Sequence, residues 1–160
     1  MKQLIDQLKK EIALYNDFIA ILHRETENLV GRDYKGLYDT VSIKERLLAR
    51  IDGCSAEREK LLKDAATALG ITGAVNLSAI IERTVPGHKN GLRDCQRTIL
   101  ALIDSIKEIN TVNSQVVSVS IENVNKALAL IGSFQPKNVY QSNGAFAGLS
   151  VKGHRLCEGA

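Results

Sequence analysis

The sequence predicts an all-α protein: an elongated antiparallel bundle of three long helices plus one short helix, followed by a flexible C-terminal tail. Three observations predict it. Apolar residues recur at alternating spacings of three and four through most of the first 134 positions, the period of a helix face. Proline occurs only at Pro86 and Pro136, so long stretches are free of the residue that breaks helices. Glycine and proline punctuate residues 70–91 and return beyond residue 135, where the helical pattern pauses or stops.

The first helix is expected over residues 1–30. Ile5, Leu8, Ile12, Tyr15, Ile19, Leu22, Thr26 and Leu29 form a heptad seam with one polar member, Thr26. A helix of that length runs about 43 Å at 1.5 Å per residue, which is the reason to expect an elongated molecule. Gly31 is the expected left-handed cap, and Asp33 can cap the next helix. So short a turn makes the two helices antiparallel neighbours.

The second helix is expected over residues 34–69. Its seam reads Tyr34, Leu37, Val41, Lys44, Leu48, Ile51, Ser55, Arg58, Leu62, Ala65 and Leu69. Lys44, Ser55 and Arg58 are polar. Either the seam shifts to Leu47, Cys54 and Leu61, or this stretch packs loosely. Gly36 and Gly53 each weaken a helix by about 1 kcal/mol relative to Ala. Residues 70–91 then read as a corner, with Asn76 capping a short helix over 77–84 that Pro86 would end.

The third long helix is expected over residues 90–134. Leu92, Cys95, Ile99, Leu102, Ile106, Ile109 and Asn113 hold one heptad register. Val117, Ile121, Val124, Leu128 and Ile131 continue it after a one-residue slip. Val117 to Ile121 alternates apolar and polar as a strand would, but no other segment offers a strand partner. The helical bundle is therefore expected over 1–134 and the flexible tail over 135–160.

Composition excludes several function classes. Aromatics make up 4% and Trp is absent, so the core must be built from Leu, Ile, Val and Ala. The net charge of +3 is spread with both signs interleaved, unlike the concentrated basic face of a nucleic-acid binder. The three cysteines, Cys54, Cys95 and Cys157, lie far apart with no metal-ligand or redox spacing. An odd count suits a reducing compartment. Met1 to Glu11 is charged throughout and offers no signal-peptide core. No apolar run approaches the roughly 18 residues of a membrane span. The expected location is the cytoplasm, with no membrane insertion and no nucleic-acid partner. His23, His88 and His154 stand apart, and no phosphate loop or nucleophile elbow appears. No enzyme activity, cofactor or metal is expected.

One segment points to a function. From Ile109 to Phe134 only Glu122 and Lys126 are charged in 26 positions. A helix with so little charge around its circumference is covered on more than one side. Two other long helices could cover it, or a partner could. Val117, Ile121, Val124, Leu128, Ile131 and Phe134 are the candidate partner-binding residues, and docking on a helix face is a standard recognition mode. Asn110 and Asn113 are the candidate polar layer that sets register.

The chain resembles the FlgN-type flagellar export chaperones. The resemblance lies in the N-terminal heptad helix with its Asp-led turn, Lys-Glu-Arg-Leu-Leu at Lys44–Leu48, Asn110-x-x-Asn113 in the last long helix, and Tyr140-x-x-x-Gly144 just after it. It covers most of residues 1–145. It implies a cytosolic chaperone that binds aggregation-prone ends of hook–filament junction proteins and delivers them to the type III export gate. It also implies that the last long helix binds the client and that Tyr140 contacts the gate. The alternative reading is a structural coiled-coil adaptor or dimerisation module, and a homodimer is compatible with either.

Overall fold

The structure, a computed structural model, describes residues 1–133. These residues form four α-helices and no strand: α1 (Lys2–Gly31), α2 (Tyr34–Ala68), α3 (Leu77–Arg83) and α4 (Pro86–Ser133). The all-helical expectation is met, and Val117–Ile121 lies within α4. Packing divides the chain into a first unit, Met1–Ser118, and a second that begins at Val119. Phe134, Tyr140 and the whole expected tail lie outside the described residues.

The turn between α1 and α2 is built differently from the expectation. The left-handed residue is Arg32, with φ 55°, rather than Gly31. Its N–H donates to Leu29 O at 3.3 Å, and Asp33 N–H donates to Asn28 O at 2.9 Å. Closing the last turn this way satisfies carbonyls at the helix end and places a side chain where only glycine sits without cost. Asp33 then caps α2, its Oδ1 accepting from Gly36 N–H at 2.9 Å. Gly36 has a positive role here. A Cβ at that position would run into the Asp33 carboxylate and the Asn28 side chain.

At the corner, Asn76 caps α3, its side chain accepting from Ala79 N–H at 2.8 Å. Pro86 does not merely end α3; it is the first residue of α4, which begins four residues before Asn90. Proline suits that position because the first helical N–H has no intrahelical partner to lose.

α1 and α2 run antiparallel, as the cross-helix bonds show. Gln7 meets Cys54, Glu11 meets Arg58, Glu25 meets Lys44 and Asn28 meets Thr40. From the Gln7 and Glu11 end of α1 to its Asn28 end, the partners on α2 move from Cys54 and Arg58 back to Thr40. Within the first unit α4 runs parallel to α1: Ile5 lies against Gly91, and Leu22 accepts from Asn113.

The first unit has two apolar clusters. One joins Leu4 and Leu8 of α1, Ile80 and Ile81 of α3, and Leu92, Cys95 and Ile99 of α4. The other joins Leu14, Phe18 and Leu22 of α1 with Leu47 and Ile51 of α2, and Ile106 and Ile109 of α4 pack against it. The buried face of α1 is thus wider than the predicted seam. Leu4, Gln7, Glu11, Leu14 and Phe18 are buried beside it, because α1 packs on two helices at once and one two-in-seven stripe cannot cover both.

Candidate functional site

Polar residues in the first unit are paired across helices. Glu11 stands between the two apolar clusters and is wholly buried. Its Oε1 accepts from Arg58 Nη1 at 2.7 Å, the Tyr15 hydroxyl at 2.9 Å and Ser55 Oγ at 3.2 Å. Its Oε2 has no partner among the described residues. Burial, and then the Glu11 carboxylate, push the Tyr15 hydroxyl above its ordinary range. Gln7 Nε2 donates to Cys54 O at 3.0 Å and to its sulfur at 3.1 Å. Burial raises the Cys54 thiol, with Glu11 adding to the effect. The polar middle of α2 is therefore bound to α1 by charge, and loose packing is not the explanation. Leu47 is buried and Leu48 exposed, so the apolar seam shifts at that point, while Ile51 stays buried and Cys54, Leu61 and Leu62 are all half-buried.

A second polar layer ties α4 to the hairpin. Asn113 is buried. Its Nδ2 donates to Leu22 O and to Glu25 Oε2, each at 3.1 Å, and its Oδ1 accepts from Thr26 Oγ1 at 2.6 Å. Glu25 in turn binds Lys44 at 2.8 Å. Asn110 is half-buried and takes no part in this layer.

Beyond Asn113 the burial of α4 ends. Val117 is 39% exposed, Ile121 and Val124 57%, Leu128 59% and Ile131 65%. Their spacings of four, three, four and three put them on one face of the helix. Every residue from Val117 to Ile131 is exposed. Glu122 and Lys126 bond to each other at 2.7 Å. Large apolar side chains thus stand in a contiguous exposed row along this stretch of α4.

Tyr34, the first member of the expected α2 seam, is exposed; Tyr38 and Val30, outside the seams, are exposed to a similar degree. Tyr34 lies in the first turn of α2, where the α1 side of the hairpin has already ended. In the first unit, an open groove of ≈ 550 Å³ lies between α2, α3 and α4, with Leu62, Leu77, Ile99 and Ile103 in its wall and Arg58 and Lys63 at its rim. Among the described residues no group of three or more His, Cys, Asp and Glu could hold a metal ion. No helix among them is long and apolar enough to cross a membrane.

The described residues define an all-helical protein whose last helix carries an exposed apolar row. Residues 1–147 match the model of the FlgN protein family, and the chain belongs to that family, one of flagellar export chaperones. That is a chaperone family and not an enzyme family. No curated protein and no solved structure matches the chain.

Proposed function

We propose that this chain is a cytoplasmic chaperone for hook–filament junction proteins, holding their aggregation-prone helical or disordered ends and delivering them to the flagellar type III export apparatus. One observation carries the reading: the exposed apolar row Val117, Ile121, Val124, Leu128 and Ile131 on a stretch of α4 whose only charged residues are Glu122 and Lys126. Burying five such side chains is worth roughly 7–15 kcal/mol gross, at about 1.5–3 kcal/mol each. Ordering a flexible client removes much of that, which leaves a complex that can be released.

In this reading residues 1–134 form the helical body and 135–160 the tail. Phe134 extends the client row, and Tyr140 contacts the export gate. Asn113, without Asn110, is the polar layer that holds α4 in register, so that the apolar row beyond it stays available. The test is capture of a purified hook–filament junction protein. Val124→Asp with Leu128→Asp abolishes capture while α1 and α2 remain folded. Tyr140→Ala preserves capture and impairs export. Capture at undiminished affinity by the double Asp variant overturns the site, and global unfolding of that variant makes the row structural.

A further inference from the structure

The solvent face of α4 inside the first unit carries its charges in an ordered pattern. Between Leu92 and Ile109 the charged residues are Arg93, Asp94, Arg97, Asp104, Lys107 and Glu108. All six are exposed. At about 100° per residue they lie within about 70° of one direction around the helix. That direction points away from Leu92, Cys95 and Ile99, which are buried. Between Arg97 and Asp104 the same face carries Leu100 and Ala101. Both are exposed, and Leu100 is 57% exposed. Among the described residues the ion pairs of this face stay within α4: Arg97 with Asp94 at 2.6 Å and Lys107 with Asp104 at 3.5 Å.

The six charges are antisymmetric about the midpoint between Leu100 and Ala101. Arg97 and Asp104 are equally far from it and opposite in sign. So are Asp94 and Lys107, and Arg93 and Glu108. Two copies of this face laid antiparallel across that midpoint set every charge against its opposite, each kind of pair twice. Leu100 of each copy then stands against Ala101 of the other, a large residue against a small one. Parallel pairing sets each charge against itself. Sliding the antiparallel pair by three residues sets Asp94 against Asp104, or Arg97 against Lys107. Sliding it by four leaves one kind of opposite pair. Flanking charges select partner, orientation and register in helix pairs, and like charges set opposite each other repel. On this face they select a second copy of the same chain.

We infer that a second copy of this chain docks antiparallel on residues 93–108 of α4, centred on Leu100 and Ala101, in a register set by charge. The surface is separate from the apolar row beyond Asn113, and the inference does not depend on the client-binding reading. One helix face per copy is a small interface, so the association is weak and reversible. Salt weakens it further. Raising NaCl from about 50 mM to about 500 mM shortens the screening length from about 14 Å to about 4 Å. The six exposed pairs together then lose about tenfold or more in affinity.

Sedimentation equilibrium of the full chain at both salt concentrations measures the dimer constant, and circular dichroism checks that each variant is helical. Arg97→Asp alone sets two like pairs in the dimer, and so does Asp104→Arg alone. Each weakens association at low salt by at least about tenfold. The chain carrying both substitutions restores opposite pairs and returns to within about threefold of the wild type. An equal mixture of the two single variants also regains association, because each reversed charge meets the other. Arg97→Asp mixed with Glu108→Arg has the same net charges but the wrong register, and stays weak. A wild type that remains monomeric up to about 0.5 mM overturns the inference. So does a dimer indifferent to the single reversals, since another surface then holds it. Failure of both the double variant and the matched mixture to recover, or equal recovery by the mismatched mixture, overturns the register.

Discussion

Removing the Arg58 side chain tests how the α1–α2 pair is held together. Glu11 is wholly buried, and Arg58, about a quarter exposed, is its one cationic partner among the described residues. In Arg58→Ala the carboxylate stays buried with only Tyr15 and Ser55 donating to Oε1 and nothing to Oε2. Breaking a buried pair in this way costs about 3–5 kcal/mol. The two remaining donors place the expected loss near about 3 kcal/mol. The reverse deletion is milder. Glu11→Leu removes the buried charge and its unpaired oxygen together, and leaves an arginine that can turn toward water. Its expected cost is about 1 kcal/mol, for the acceptor that Tyr15 and Ser55 lose. Urea unfolding followed by helical circular dichroism reads both. With a slope of about 1.5 kcal/mol per molar, Arg58→Ala lowers the midpoint by about 2 M and Glu11→Leu by well under 1 M. Arg97→Ala, at the exposed Arg97–Asp94 pair, is the control and shifts it little. If Arg58→Ala behaves like Arg97→Ala, or if Glu11→Leu is the more damaging of the two, the buried-charge reasoning is wrong.

Three further outcomes follow from the same geometry. Arg32→Gly relieves the left-handed backbone at φ 55° and raises the unfolding free energy by about 0.5–1 kcal/mol; an unchanged or lower midpoint would show that the Arg32 side chain contributes more than its backbone costs. Burial raises the Tyr15 hydroxyl and the Cys54 and Cys95 thiols above their ordinary values of 10.0 and 9.0. A raised value means stability that is complete below the unfolded value and is lost as pH rises through the folded one, so the urea midpoint falls as pH rises past the ordinary thiol and phenol values, and Tyr15→Phe flattens the upper part of that fall. Asn113→Leu leaves helix content intact but removes the bonds to Leu22, Glu25 and Thr26, so light scattering detects new association states; an unchanged mass and midpoint would remove Asn113 from any register role.

Helix content was legible in the sequence because it depends on local pattern. The seams of α1 and α4 are spaced apolar residues, and their burial follows from helix period and packing. What stayed hidden depends on partners distant in sequence. Glu11 reads as a solvated acid because nothing nearby announces Arg58, 47 residues away. The polar middle of α2 reads as weakness for the same reason, since Lys44 and Arg58 acquire their meaning only opposite Glu25 and Glu11. Gly31 reads as the cap because left-handed backbone favours glycine, yet the chain places Arg32 there to set the turn into Asp33. Pro86 reads as a stop for α3, and its second use as the start of α4 could have been found from the preference of proline for a first helical position. The apolar row of α4 was visible as missing charge. Its exposure was not, because the same composition would serve a helix buried between two others.

Hydrogen exchange on the full chain, with and without a purified hook–filament junction protein, tests the client row most directly. Exposed helices without tertiary cover exchange quickly, and a bound partner slows them. The account predicts that the client slows exchange from Val117 through Ile131, with little change at Tyr34 and Tyr38 or along the groove lined by Leu62, Leu77 and Ile99. Slowing confined to those other surfaces, with Val117–Ile131 exchanging as in the free protein, would contradict it.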